Sequence, residues 1–314
     1  MNAFRAGFVC LFGRPNVGKS TLLNRLVGEK LAIVSPRPQT TRTRITGIKN
    51  GPGWQVVFVD TPGLTEGGGP LGEFMVKTVH RSLEEVDLVC LLVPATAAPG
   101  EMDEGPLKVL AGFRGPVFCC LTKADLVRPK TRLLPLIEAY RRQYPFKEVL
   151  PISAVDGTNC DRLLELAVEV LPEHPAYFPP DTLTDQPETF FVAEVVREKI
   201  FQFTHQEIPY ACAVRVEELT ERQGAGPRPK AGEWLYIRAS IFVEQVSQRG
   251  ILIGRGGAML KKIGSAARRD LEAFFGIPVY LELKVEVRRN WRRDARALRE
   301  LGFKSTSEGR REWR

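Results

Sequence analysis

Histidine and cysteine are scarce in this chain, with three histidines and six cysteines in 314 residues. The cysteines stand at 10, 90, 119, 120, 160 and 212, with no C-x-x-C spacing and no histidine at metal-ligand distance in sequence. That spacing argues against both a zinc site and a disulfide framework, so buried, reduced thiols are expected. Long apolar runs are also missing. The longest lies near residues 88–95, far short of the roughly 20 residues a membrane-spanning helix needs. The opening residues, MNAFRAG, show no basic cluster followed by an apolar stretch, so no secretory leader is expected and a cytoplasmic location is.

What is present is unevenly spread. The formal net charge is +8. Residues 251–314 hold sixteen Lys and Arg against eight Asp and Glu, and the preceding 250 residues hold 29 of each sign. The whole basic surplus therefore sits in the last fifth of the chain. A surplus localised in this way points to a polyanion at that end, either nucleic acid or an anionic membrane surface. The plainer alternative is a solvated basic tail.

The first 170 or so residues alternate short apolar runs with helical patterns. Residues 8–12, 56–59, 88–93, 117–121 and 149–152 are continuous and rich in Val, Leu and Phe, as buried strands are. Residues 21–27, 71–83, 104–110, 131–140 and 161–171 carry helical patterns. This alternation predicts an α/β fold, a doubly wound, mostly parallel sheet with helices on both faces. Residues 45–48, joined to Val56 by the turn signal Asn50-Gly51-Pro52-Gly53, are expected to pair antiparallel at an edge. Pro172, Pro175, Pro179, Pro180 and Pro187 then crowd together and read as an extended linker. The expected organisation is a domain over 1–175, a Pro-rich linker over 176–188, a second domain over 189–290 and a basic helix or tail over 291–314. The second domain reads helix (188–203), strand (211–219), strand (234–246), helix, helix (263–275), strand (279–287), a smaller α+β fold.

Gly13-Arg14-Pro15-Asn16-Val17-Gly18-Lys19-Ser20 follows a strand and opens a helix at Thr21, the context a Walker A loop requires. Its glycines let backbone N–H groups wrap phosphates, and the helix N-terminus adds positive potential. Lys19 is expected to neutralise β- and γ-phosphate charge, and Ser20 to place its hydroxyl on Mg²⁺. Gly13, Asn16, Val17, Gly18, Lys19, Ser20 and Thr21 are the expected phosphate-side positions. Asp60-Thr61-Pro62-Gly63 ends the 56–59 strand. Asp60 suits an Mg²⁺-holding carboxylate, and Gly63 offers a backbone N–H to a γ-phosphate. Thr122-Lys123-Ala124-Asp125 ends another strand. A carboxylate at Asp125 accepts two hydrogen bonds from guanine, whereas adenine would leave it unpaired. The Lys123 stem can lie over the base, and Ser153-Ala154 can close the base pocket with a backbone N–H.

Together these four segments resemble the nucleotide motifs of small translation-factor-type GTPases. The resemblance implies GTP or GDP with Mg²⁺ as the bound nucleotide and metal. It also places the first switch loop at Pro38-Gln39-Thr40-Thr41-Arg42-Thr43-Arg44, with Thr41, or else Thr40, completing the Mg²⁺ shell. Two departures stand out. The base motif of the family usually begins with Asn, which braces the Walker A loop; here it begins with Thr122, which puts nucleotide affinity in question. Leu64 occupies the position where many GTPases carry a water-orienting Gln, so slow intrinsic turnover is expected. GTPases with such a substitution resemble one another in using an Asn at the position of Asn16 to hold K⁺. Lys19, Asn16 and Thr41 are the expected catalytic set, and Ser20, Thr41 and Asp60 the expected metal ligands.

In the second half, Ile253-Gly254-Arg255-Gly256-Gly257 lies between an apolar stretch and a basic helix carrying Lys261 and Lys262. With the element order above, it resembles a type II KH domain, which implies a grip on about four unpaired nucleotides. Arg288, Arg289 and Arg292, with Arg293, Arg296 and Arg299 beyond, are expected to meet phosphates. The alternative is a solvated helix pairing with Asp294 and Glu300. A GTPase domain, a Pro-rich linker and a KH domain in this order resemble the Era family of bacterial ribosome-associated GTPases. That resemblance implies binding of single-stranded small-subunit ribosomal RNA near its 3′ end and assistance to 30S assembly, and a monomer is expected. It further implies some peripheral association with the inner face of the cell membrane. Three alternatives stay open: a membrane-surface regulatory GTPase, an RNA-modification-associated GTPase, and a P-loop kinase, which Asp125 disfavours. If GTP orders the loops at 36–44 and 63–72, the linker and the helix after residue 70 are the expected route to the second domain.

Overall fold

The computed structural model describes residues 3–35, 37, 39–64, 69–97, 104–224 and 232–303. Pro38 of the expected switch segment, residues 65–68 of the loop after Gly63, the Gly/Pro connection at 225–231 and residues 304–314 of the basic tail lie outside the described residues. The chain divides into two units, one running to Asp185 and the other beginning at Gln186.

The first unit is built on strands β1 (Arg5–Phe12), β2 (Ile45–Gly51), β3 (Trp54–Asp60), β4 (Leu88–Pro94), β5 (Val117–Thr122) and β6 (Glu148–Pro151). They form one sheet in the order β2-β3-β1-β4-β5-β6. Only β2 is antiparallel, joined to β3 through Pro52-Gly53 with Gly51 opposite Trp54. The strands are almost wholly buried, which is why they read as continuous apolar runs rather than alternating ones. Helices α1 (Lys19–Val27) and α5 (Cys160–Val170) cover one face. On the other, Cys10, Phe12, Val89 and Cys119 of the sheet meet helices α2 (Gly69–Glu84), α3 (Glu104–Leu110) and α4 (Leu133–Gln143). All six cysteines are buried and unbridged.

Strand β1 lies between β3 and β4, so successive connections leave it in opposite directions. The crevice at the carboxyl end of such a strand is where doubly wound sheets bind ligands, and the Gly13–Ser20 loop occupies it. α1 stops at Gly28, whose N–H bonds the Asn24 carbonyl. The Asn24 side chain then accepts from Leu31 and Ala32 N–H at 3.0 and 2.8 Å, pinning the chain as it leaves the helix.

Residues 177–184, within the extended linker expected over 176–188, pack on the first unit. Phe178 is buried against Ile48 and Val57, and Tyr177 packs edge-on to Phe8 at 4.8 Å between centroids. The first unit therefore continues to Asp185 instead of ending at 175. The aromatic residues inside the Pro-rich run are the cause: proline prevents helix, but it does not prevent an extended chain from burying its neighbours.

The second unit contains helix α6 (Glu188–Phe203), a short helix α7 (Ile208–Ala211), strands β7 (Ala213–Gly224) and β8 (Gly232–Val243), helices α8 (Val246–Ile253) and α9 (Ala258–Phe275), strand β9 (Val279–Val287) and helix α10 (Ala295–Glu300). The sheet runs β7-β8-β9, with β7 antiparallel and β9 parallel to β8. One core joins Val192, Val196, Ile237, Ile241, Leu252 and Ile263 across helices and sheet. Strand β8 ends at Val243 rather than 246, because Gln245 and Gln248 form a reciprocal capping box that starts α8. The basic segment after 290 is likewise not one helix. A 3₁₀ turn, Trp291–Arg293, precedes α10, whose first turn is capped by Asp294. Trp291 is fully buried and donates its indole N–H to the Ala211 carbonyl at 3.0 Å, so it anchors the arginine-rich run to the core.

Candidate functional site

A cleft of about 430 Å³, within the range of ligand pockets, opens at the carboxyl end of β1 and is lined by Asn16, Lys19, Ser20, Thr41, Gly63 and Lys123. Residues expected at the phosphates and at the first switch loop thus share one cavity, and of the residues expected at the base Lys123 joins them while Asp125, Ser153 and Ala154 do not line it. Asn16 has left-handed backbone, φ 63°, within the loop. Two glycines let the phosphate loop pack tightly on β4 and on the loop after β3. A Cβ on Gly13 would lie 2.6 Å from the Leu92 carbonyl oxygen, and one on Gly63 would lie 2.7 Å from the Pro15 nitrogen. The Leu64 N–H donates to the Gly13 carbonyl at 3.1 Å, so the loop after β3 is seated directly on the phosphate loop. The Leu64 side chain is half-buried against the apolar cluster on the face of the sheet that α2, α3 and α4 cover, and an aliphatic group has no means to polarise a water molecule.

The three expected metal ligands converge. The Ser20 hydroxyl donates to Asp60 Oδ2 at 2.7 Å, and the Thr41 hydroxyl lies 2.9 Å from Ser20 Oγ and 3.4 Å from Asp60 Oδ2. Thr40 instead donates to the Arg37 carbonyl at 2.7 Å, so the geometry distinguishes the two threonines in favour of Thr41. Asp60 Oδ1 is buried with no hydrogen-bond partner among the described residues. Two hydroxyls and a carboxylate are hard oxygen donors that suit Mg²⁺, and an orphaned carboxylate oxygen among them fits a cation or its bound water. Burial raises the Asp60 carboxyl to about 6, against the opposing pull of Lys19 and of hydrogen bonds from Ser20 and Thr41. Burial lowers the Lys19 ammonium to about 8, opposed by the Asp60 charge. Lys19 donates to the Gly13 and Arg14 carbonyls at 3.2 and 2.8 Å. A phosphate would offer it anionic acceptors in their place.

Thr122 performs the bracing that its lack of an amide put in question. Its hydroxyl donates to the Val17 carbonyl at 2.7 Å and lies 3.2 Å from the Val93 carbonyl, so it ties the phosphate loop to the base strand. Sequence reasoning missed this because the two residues are 105 positions apart. Lys123 takes a left-handed backbone, φ 57°, and turns the chain into the 3₁₀ segment Ala124–Leu126 that carries Asp125. The Ala124 N–H donates to Ile152 at 3.1 Å, and the Lys130 ammonium bonds the Ala124 carbonyl, joining the two base-side loops. The Ser153 N–H is spent on the Thr158 carbonyl at 3.0 Å, which leaves Ala154 of that pair to offer an N–H to a base.

In the second unit, Ile253 ends α8 and Gly254-Arg255-Gly256-Gly257 turns the chain into α9. A Cβ at Gly256 or Gly257 would meet nothing within 4 Å, so a backbone can approach the turn closely from solvent. Arg255 and Lys261 are exposed beside it, while Lys262 Nζ lies 4.4 Å from the Phe203 ring centre. The arginines beyond β9 are less available than their number suggests. Arg288 pairs with Glu300 at 2.6 Å, Arg292 with Glu244, and Arg296 with Glu300 at 3.0 Å. Arg289 is exposed, with no acidic partner among the described residues.

The profile of a family described as 50S ribosome-binding GTPase matches residues 8–123, and that of the KH domain matches residues 207–292. GTPase Era of Geobacter metallireducens is 51% identical over 302 residues, covering 96% of this chain and 99% of that protein. The Era protein of Heliobacterium modesticaldum is 44% identical over 303 residues, with 96% and 98% covered. The chain belongs to the Era family of GTPases. Two solved Era structures share its architecture, each with a TM-score of 0.88 and 39% identity over 96% of this chain and 99% of theirs. One is Era in complex with MgGDPNP and nucleotides 1506–1542 of 16S ribosomal RNA; the other is a single-residue variant of Aquifex aeolicus Era bound to GDP·AlF4⁻. As a member of that family, the chain carries a GTPase domain in the first unit and a KH domain in the second. Among the described residues, no helix is long and apolar enough to cross a membrane.

Proposed function

We propose that this chain is a GTP-driven switch that binds small-subunit ribosomal RNA near its 3′ end and assists 30S assembly. The observation that carries the RNA half is the match, along nearly the whole chain, to an Era protein bound to nucleotides 1506–1542 of 16S ribosomal RNA. The open Gly254–Gly257 turn with Arg255 and Lys261 beside it supports the same reading, since KH grooves hold unpaired strands largely through backbone contacts.

In the cleft, Ser20, Thr41 and Asp60 would hold Mg²⁺, which supplies charge neutralisation to the transferred phosphoryl group. Lys19 and the backbone N–H groups of Gly13, Asn16, Val17, Gly18 and Thr21 orient the phosphates. Lys123, Asp125 and Ala154 select guanine. Asn16 holds K⁺ beside the phosphates, and Leu64, half-buried against the core, keeps turnover slow. The protein acts as a monomer with a peripheral hold on the inner membrane face.

Fluorescence anisotropy with a 3′-terminal 16S fragment and a scrambled control, on GDPNP- and GDP-loaded protein, tests the RNA role. Tighter binding of the authentic fragment, with an affinity that changes with the nucleotide, is expected; equal binding of both RNAs would sink it. Replacing K⁺ by Na⁺ should slow hydrolysis, and unchanged turnover would remove the role given to Asn16. Flotation with anionic vesicles and sedimentation velocity test the membrane hold and the monomeric state.

A further inference from the structure

Strand β2 connects two things that nothing in its sequence joins. It begins directly after the Thr41-Arg42-Thr43-Arg44 run, and Arg44 is fixed to Glu85 by a 2.7 Å ion pair at the strand's entrance. It is also the edge of the sheet. An edge strand presents outward N–H and C=O groups that must be paired, covered or solvated. Here residues 183 and 184 take two of them. The Ile48 N–H donates to the Leu183 carbonyl at 2.8 Å, and the Thr184 hydroxyl donates to the Thr46 carbonyl at 2.6 Å. The Asn50 amide donates to the Pro180 carbonyl at 2.8 Å.

The strap formed by residues 177–184 is held from beneath as well. Gln55 of β3 is fully buried, and its side chain is saturated by the strap and by Asn50. Its Oε1 accepts from the Tyr177 and Phe178 N–H groups at 2.7 and 3.0 Å. Its Nε2 donates to the Phe178 carbonyl and to Asn50 Oδ1, both at 2.8 Å. A buried amide with every group partnered is costly to leave unmatched, so the strap is fastened to β2 and β3 at several points. Two residues after Thr184 the chain enters the second unit.

We propose that this strap is the element that carries the nucleotide state of the cleft to the RNA-binding unit. The proposal deepens, and rests on, the nucleotide-dependent RNA binding proposed above. The first link is Thr41, whose hydroxyl lies between Ser20 and Asp60 in the present arrangement and must rearrange when a metal and γ-phosphate take up those oxygens. Four residues later the chain is already β2, hydrogen-bonded along its inner edge to β3 and along its outer edge to the strap. A shift of the loop at 39–44 therefore reaches Leu183 and Thr184 through strand backbone, with no flexible segment between. A cover that merely protected the sheet edge would need the same hydrogen bonds but would not depend on the length of chain between Asp185 and Gln186. The two roles are separated by loosening that junction.

The test compares RNA affinity in the GDPNP and GDP states for three proteins. These are the wild type, a variant with Gly-Ser-Gly-Ser inserted between Asp185 and Gln186, and the double variant Thr184→Val with Asn50→Ala. Couplings between sites are typically about 5- to 150-fold. We expect a ratio of at least about 5 in the wild type, falling to near 1 in the insertion variant and at least halved in the double variant. GDPNP affinity should stay unchanged in both, which also reports that the first unit is folded. Hydrogen exchange at the Ile48, Tyr177 and Phe178 amides should differ between the two nucleotide states. A wild-type ratio of 1 would mean that the functional reading itself is wrong. A wild-type ratio above 5 that survives the insertion, with exchange at Ile48 unmoved by nucleotide, overturns the strap and leaves the functional reading standing. Should the double variant fail to fold, the insertion, which touches no buried group, still decides.

Discussion

The brace between Thr122 and Val17 gives the most direct test of how this cleft is held. Thr122→Val keeps shape and volume and removes the donor. The Val17 carbonyl, now buried opposite a methyl group, loses the 2.7 Å hydrogen bond it accepts. An unmatched buried acceptor costs about 1–3 kcal/mol. In a unit of this size, about 2 kcal/mol lowers the melting temperature by about 4–8 °C. Because Val17 lies in the phosphate loop, part of the same loss should appear as weaker nucleotide binding. The ceiling is the whole 1–3 kcal/mol, or about 5- to 150-fold in Kd. Thr122→Ser retains the hydroxyl and gives up a methyl group, so it should bind nucleotide nearly as the wild type does. Titration with a fluorescent GTP analogue and thermal melts with and without nucleotide read both quantities. If Thr122→Val melts and binds like the wild type, the hydroxyl is not the brace, and the tolerance of threonine at this position needs another cause.

Three further outcomes follow from the geometry. Asp125→Asn exchanges an acceptor for a donor against guanine, so GTP affinity should fall by about 2–4 kcal/mol and xanthosine triphosphate should become the better ligand; a retained guanine preference would move the base contact elsewhere. At the KH turn, a Cβ on Gly254, where φ is 72°, would lie 2.8 Å from the Met259 nitrogen, whereas Gly256 faces open space. Gly254→Ala should therefore lower stability, while Gly256→Asp should weaken RNA binding and leave the melt within about 1 kcal/mol of wild type; the reverse pattern would contradict the described turn. For pH, burial raises the Asp60 carboxyl from 3.8 to about 6. The folded free chain thus keeps a proton that the unfolded chain releases over that interval, so its stability should fall as pH climbs from about 4 to 6. Mg²⁺ needs the carboxylate, so Mg²⁺-dependent GTP affinity should rise over the same climb, and a flat profile in the wild type would contradict the assignment.

The nucleotide cleft was legible because each of its motifs is short, contiguous and placed at the end of a strand that also declares itself. Local backbone requirements fix Gly13, Lys19 and Ser20 within eight positions, and apolar runs fix the strands they follow. The antiparallel edge at 45–51 was legible for the same reason, since its turn is local. What escaped notice depends on partners far away in sequence. Nothing near Thr122 announces Val17, and nothing in a Pro-rich run announces that Gln55, 122 residues earlier, will hold Tyr177. Arg296 and Arg299 do lie on a helix, α10, but the helical spacing that also joined Arg289, Arg292 and Arg293 to it says nothing about Trp291. Its burial bends the segment into a 3₁₀ turn.

Charge counting overreached in the same way, and the consequence can be measured. Six of the residues expected at RNA are cationic: Arg255, Lys261, Lys262, Arg288, Arg289 and Arg292. Arg288 and Arg292 are already neutralised by Glu300 and Glu244, and Lys262 lies over the Phe203 ring. Arg255, Lys261 and Arg289 remain. For single strands, the affinity falls with salt at a slope of about −0.7 per phosphate neutralised. Three contacts give a slope of about −2, and six give about −4. Titrating the 3′-terminal fragment between about 50 and 200 mM KCl should yield the smaller slope. Glu300→Gln, which frees Arg288 and Arg296, should steepen it. A wild-type slope near −4, unaltered by Glu300→Gln, would show that the arginines leave their glutamates when RNA arrives, and that the ion pairs beyond β9 are resting contacts of the free protein rather than limits on its RNA-binding surface.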